Sequence, residues 1–186
     1  DKAADEIVIE AALKARIRLV KAFVAEESSV NPLLLIQLPD ARKGLIDKKD
    51  VVIQILAKYG ITTKNGKLAI YLSEKDNKIN LTNIEKNENE VEVMIFKQAI
   101  ALGWDCPRAS ILVLFREWKS MVFSIQTVGR IMRMPERCHY KDPALNIGYV
   151  YTSLSDITIA EDIAKEYVTV YYGRRRDDYK NINLTS

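Results

Sequence analysis

Apolar residues recur three and four positions apart from residue 5 to residue 25, around "EIVIEAALKARIRLVKAF", and interleaved alanine, lysine and arginine favour the same helix. Together with its flanks this makes residues 1–28 a leading helix, stopped by Asn31-Pro32. The periodicity then changes. "LLLIQL" at 33–38 is a short apolar run, as expected of a strand covered on both faces, and Pro39-Asp40 closes it. After a loop containing Gly44, "DKKDVVIQILAKYG" at 47–60 returns to helical spacing and ends on a glycine. "KLAIYLS" at 67–73, "VEVMIF" at 91–96, "ASILVLF" at 109–115 and "NIGYVYTS" at 146–153 predict further strands. "KQAIALGWDCP" predicts a short helical turn running into a loop, and "ITIAEDIAKEYVTVYYGRRR" at 157–176 a closing helix.

Residues 74–90 are polar and asparagine-rich, which predicts a weakly ordered surface loop. Elsewhere buried strands alternate with helices, implying an α/β layer fold with a mostly parallel sheet. Ligands of such sheets bind where loops leave the carboxyl ends of the strands. Three segments are expected to converge along that edge: residues 37–40, 97–107 and 116–133.

Length and composition narrow the class. A chain of 186 residues suits one domain with one core, and 48% apolar with 28% charged residues is ordinary globular usage. No apolar run approaches the roughly 18 residues that a membrane span needs. Cys106 and Cys138 lie in different segments without metal-ligand spacing, and no signal-peptide pattern occurs, so a cytoplasmic location is expected. The chain opens on Asp1 directly in helical sequence, which suggests a piece of something longer. A net charge of +3 does not by itself imply a nucleic-acid partner.

The candidate chemistry lies in "SIQTVGRIMRMPE", residues 124–136. On a helix, Gln126, Arg130 and Arg133 share one stripe, while Met121, Ile125, Val128 and Met132 occupy another. Two guanidiniums in line suit a multi-oxygen anion, because arginine presents a planar fork of donors. Gly129 costs the helix about 0.5–1 kcal/mol, and it lets a ligand come close. Arg174, Arg175 and Arg176 read instead as a solvated complement to a helix dipole.

The run "IFKQAIALGWDCPRASILVLFREWKS" followed by "FSIQTVGRIMRMPE" closely resembles the second RecA-like motor domain of superfamily 2 helicases, specifically the Res subunit of type III restriction endonucleases. "GWDCP" looks like motif V with its G-x-D-x-P core, and "QTVGRIMR" like motif VI with its Q-x-x-G-R-x-x-R core. "PLLLIQLPD" stands in the place of motif IV in degenerate form. The resemblance implies a RecA-like three-layer αβα sandwich with a mostly parallel sheet. It also implies an ATP-dependent motor acting on double-stranded DNA, with ATP and Mg2+ bound mainly by an upstream RecA-like domain and with a modification (methyltransferase) subunit as partner.

Carried over residue by residue, Arg130 and Arg133 would be arginine fingers reaching the γ-phosphate, and Gln126 would couple nucleotide to the domain interface. Asp105 would meet the ribose, and Gly103 would permit close backbone approach. Lys97 and Gln98 would lie against the DNA backbone, although Lys97 replaces the threonine or serine common there. The sequence contains no G-x-x-x-x-G-K-[ST] phosphate loop, so these residues alone are expected not to hydrolyse ATP. Two alternatives are another superfamily 2 motor, of type I restriction or repair, and a non-catalytic DNA-binding or scaffold module on the same fold.

Overall fold

The computed structural model describes residues 2–39, 48–72, 78–97, 105–115, 134–152 and 168–172. Helix α1, Lys2–Ala25, buries Val8, Ile9, Ala12, Leu13, Ala15, Leu19 and Phe23, the three-and-four spacing that the sequence displays. Its end is a left-handed cap built without glycine. Glu27 takes φ 59°, its N–H reaches the Val24 carbonyl at 3.1 Å, and the Ser28 N–H reaches the Phe23 carbonyl at 2.9 Å. Helix α2, Lys48–Lys58, closes the same way on Gly60 at φ 71°, with Gly60 N–H on Ala57 O and Ile61 N–H on Leu56 O. Leu56 and Ile61 are both buried there, supplying the apolar contact that accompanies this cap.

Strands β1 (Leu33–Gln37), β2 (Leu68–Tyr71), β3 (Lys78–Ile79), β4 (Val93–Phe96), β5 (Ala109–Leu114), β6 (Gly148–Thr152) and β7 (Val168–Tyr172) form one sheet in the order β3-β2-β4-β1-β5-β6-β7. All neighbouring pairs are parallel except the antiparallel β2–β3 edge. The fold is therefore α/β with a mostly parallel mixed sheet, as the alternation of apolar runs implies. Burial on both faces explains the run composition: Leu34, Ile36, Val93, Ile95, Ile111 and Val113 pack with α1 and α2, while Leu33, Leu35, Met94, Phe96, Leu112 and Leu114 face a second core with Ile84, Val91 and Cys106. A 3-10 turn at Pro143–Asn146, capped by the Asp142 carboxylate on Ala144 N–H at 2.9 Å, leads into β6.

Two expectations are corrected. Within the predicted closing helix at 157–176, Val168–Tyr172 is strand β7, paired with β6 from Gly148↔Val168 to Thr152↔Tyr172. "VTVYY" consists of β-branched and aromatic residues, and the free edge of β6 gives them a ladder to join. The polar stretch 74–90 is also built differently from a weakly ordered loop over its described part, 78–90. Asn80 Nδ2 donates to Thr63 O at 2.9 Å and Leu68 O at 2.8 Å, and Asn89 Nδ2 donates to Thr82 O and Asn83 O. Asn80 and Asn83 take φ 56° and 54°, a conformation asparagine tolerates better than most residues.

The amino-terminal edge of the sheet is closed by two buried arginines. Arg108, fully buried before β5, donates to Ile84 O (2.7 Å), Asn31 O (2.7 Å) and Val91 O (3.0 Å). Arg16 of α1 donates to Pro32 O at 2.9 Å, to Glu92 at 3.0 Å and to the Asn31 side chain. Glu92 also accepts Lys67 at 2.9 Å, so the lead-ins to β1, β2, β4 and β5 are tied together. Burial lowers both arginine pKa values, Arg108 to about 10, with Glu92 opposing the fall at Arg16.

Candidate functional site at the carboxyl edge of the sheet

The opposite edge is built flush. Cα pairing runs Lys78↔Tyr71, Tyr71↔Phe96, Phe96↔Gln37, Gln37↔Leu114, Leu114↔Thr152 and Thr152↔Tyr172, so every strand contributes to one row of residues. At about 4.8 Å per strand the row extends for about 29 Å. Gln37 and Thr152 are fully buried polar residues at strand ends whose neighbours are mostly apolar. The Thr152 hydroxyl donates to Leu114 O at 3.1 Å, which leaves Gln37 at the centre of the row as the buried amide.

The next described residues after two adjacent strands of this row pack on opposite faces. From β1 the chain passes through Leu38 and Pro39 to α2, whose Val52, Ile55 and Leu56 belong to the α1 face. From β4 it passes through Lys97 and returns at Cys106, which belongs to the other face. The carboxyl ends of neighbouring strands are the general ligand position of open α/β sheets. At these ends Lys97 follows β4, and Leu38 and Pro39 follow β1. Leu38 N–H bonds Phe96 O at 2.8 Å and Phe115 N–H bonds Gln37 O at 3.0 Å, so the ends of β4, β1 and β5 are tied to one another.

Cations surround this edge. Lys48, at the start of α2, pairs with the buried Asp5 of α1 at 2.5 Å and lies 4.7 Å from the ring centroid of Phe115 at the end of β5. Lys49 is 3.9 Å from Asp50, and Lys97 is half-buried. Lys78 stands over Tyr71 at 5.4 Å.

Of the residues singled out by sequence, Lys97 directly follows the last residue of β4. Asp105 is exposed and lies four residues before the first residue of β5, in the turn that leads into the strand from the amino edge. Lys97 and Asp105 thus belong to opposite ends of one crossover rather than to a single edge. Gln98, Gly103, Gln126, Gly129, Arg130 and Arg133 lie outside the described residues, as do Trp104 and Arg174 to Arg176. Cys106 and Cys138 are free thiols, the first buried and the second exposed, and burial pushes the Cys106 thiol up to about 11. Among the described residues, no group of His, Cys, Asp and Glu is arranged to hold a metal ion, and no helix is long and apolar enough to cross a membrane.

Lys48, Phe115 and Thr152 were not singled out from the sequence. Thr152 had a usable signal, a polar residue at the end of an apolar run. Lys48 had none, because "DKKD" reads as an ordinary polar helix start. No protein family, curated protein or solved structure is found to match this chain.

Proposed function

We propose that this chain is the second RecA-like lobe, a three-layer αβα sandwich, of the ATP-driven DNA motor in a type III restriction enzyme. One observation carries the reading: the G-x-D-x-P and Q-x-x-G-R-x-x-R cores occur in this order in the sequence, one before and one after β5.

In this reading the upstream lobe binds ATP and Mg2+. Arg130 and Arg133 extend to the γ-phosphate and stabilise the charge that develops during transfer. Asp105 and Gly103 meet the ribose, and Gln126 relays the state of the nucleotide to the interface. Lys97 holds a phosphate of duplex DNA at the end of β4, with Gln98 next to it in sequence. Opening and closing of the two lobes turns ATP hydrolysis into movement, while a methyltransferase subunit selects the site.

The test is Arg133→Ala in the intact restriction complex. ATP turnover is expected to fall by roughly three orders of magnitude or more, the scale of a lost arginine finger. Binding to the recognition site persists. Unchanged turnover would remove Arg133 from the mechanism. No DNA-stimulated ATPase in the unmodified complex would favour a non-catalytic module.

A further inference from the structure

We infer that the DNA path on this lobe continues sideways from Lys97 at the end of β4 to the edge strand β3, where Lys78, seated on Tyr71, contacts the phosphate backbone of the duplex. The inference rests on the DNA-motor reading and adds a contact outside both motif cores.

Three observations support it. Lys78 and Tyr71 are direct cross-strand partners, and the ammonium stands 5.4 Å from the ring centroid, so the cation is held over an aromatic face. Lys78 is exposed, and among the described residues no carboxylate forms an ion pair with it. Tyr71 is itself in register with Phe96, the residue before Lys97. Two strand spacings, about 10 Å, therefore separate the Lys78 backbone from the end of β4. Measured along the helix axis that span equals about three base-pair steps, so a duplex lying along the row can present phosphates of one backbone to Lys78 and Lys97.

Strand β3 is also anchored on its carboxyl side. The Asn80 amide is fixed to Thr63 O and Leu68 O, so the residues directly after Lys78 are anchored to the chain entering β2. A lysine on a pinned two-residue strand loses less freedom on binding than one on a loose loop. The competing explanation is that an edge-strand lysine merely prevents sheet-to-sheet association. The two differ in what DNA binding does when the lysine is removed.

The experiment measures affinity of the full-length protein for a fluorescein-labelled duplex at several sodium chloride concentrations. Lys78→Ala is expected to weaken binding several-fold and to reduce the slope of log K against log salt by about 0.9, the value of one phosphate contact. Lys78→Arg should restore the slope. Tyr71→Leu should weaken binding, whereas Tyr71→Phe, which keeps the ring, should not. A wild-type protein that binds duplex with an unchanged slope in Lys78→Ala overturns this contact and leaves the motor reading intact. A wild-type protein that does not bind duplex at all overturns both.

Discussion

At the scale of single residues, the most demanding group among the described residues is Arg108, a guanidinium with no exposed surface that donates to three backbone carbonyls and, at 3.4 Å, to the Asn89 side-chain oxygen. Those bonds need the planar fork, since an ammonium cannot meet all three carbonyls from one position. Arg108→Lys keeps the charge buried and loses at least one charged hydrogen bond, so we expect a loss of about 3 kcal/mol in urea unfolding. Arg108→Met removes both charge and donors, and should cost no more than lysine because the desolvated charge goes with the bonds. A methionine variant less stable than the lysine variant would mean that the carbonyls, not the buried charge, dominate. Two positions away, Cys106 offers a pH test. Its thiol donates to Ile84 O at 3.6 Å, and its pKa is raised to about 11 against an ordinary 9.0. The folded state therefore holds a proton that the unfolded state releases between these values. This contribution is complete below pH 9 and disappears as pH rises through 11, an effect of about 3 kcal/mol. Comparing wild type with Cys106→Ala across that window isolates it: the difference in stability should shrink with rising pH. At neutral pH a thiol reagent should label Cys138 quickly and Cys106 only on unfolding.

At the scale of elements, the two helix ends form a matched pair. Gly60 and Glu27 occupy equivalent left-handed positions, one with the residue suited to it and one without. Nothing lies within 4 Å of a Cβ placed on Gly60, so Gly60→Ala tests backbone conformation with no steric contribution. Its expected cost is about 1 kcal/mol, and Glu27→Gly should gain a similar amount. Equal stability of wild type and Glu27→Gly would mean that the extra freedom of glycine in the unfolded chain cancels the relief. The same scale shows what the sequence discloses. β1, β4, β5 and β6 are legible because burial on both faces forces unbroken apolar runs, and α2 because its glycine cap is written at the right place. β7 was hidden because the helical spacing upstream of it merges into "VTVYY", and only the partner strand decides between the two. β3 has two residues inside polar sequence, and its ladder exists because Asn80 pins the chain next to β2. No local pattern carries that information.

At the scale of the whole molecule, the sheet has one edge tied by hydrogen bonds and one edge that collects cations. The tied edge was invisible in the sequence, since Arg16, Asn31, Glu92 and Arg108 come from four separate segments. The other edge was partly visible, because strand ends can be read from apolar runs and Lys97 follows one of them. The Lys48 contact could not be read, as it joins the starts of both helices to the end of β5. That contact makes α1 part of the site's support as well as of the core. The helix covers the sheet face at β1, β5 and β6, and its large buried side chains are Val8, Ile9, Leu13, Leu19 and Phe23. Burying five such side chains is worth on the order of 10 kcal/mol, about the entire stability of an ordinary domain. Phe23 further meets the ring of Tyr140 edge-on at 5.3 Å, tying α1 to the segment before β6. A chain starting at residue 29 should therefore lose cooperative folding, not just a few degrees of stability. We expect it to show no sigmoidal urea transition and to bind an apolar dye at neutral pH. Retention of a cooperative transition would mean that the sheet face closes without the helix, and α1 would then be an appendage to the domain instead of one of its layers.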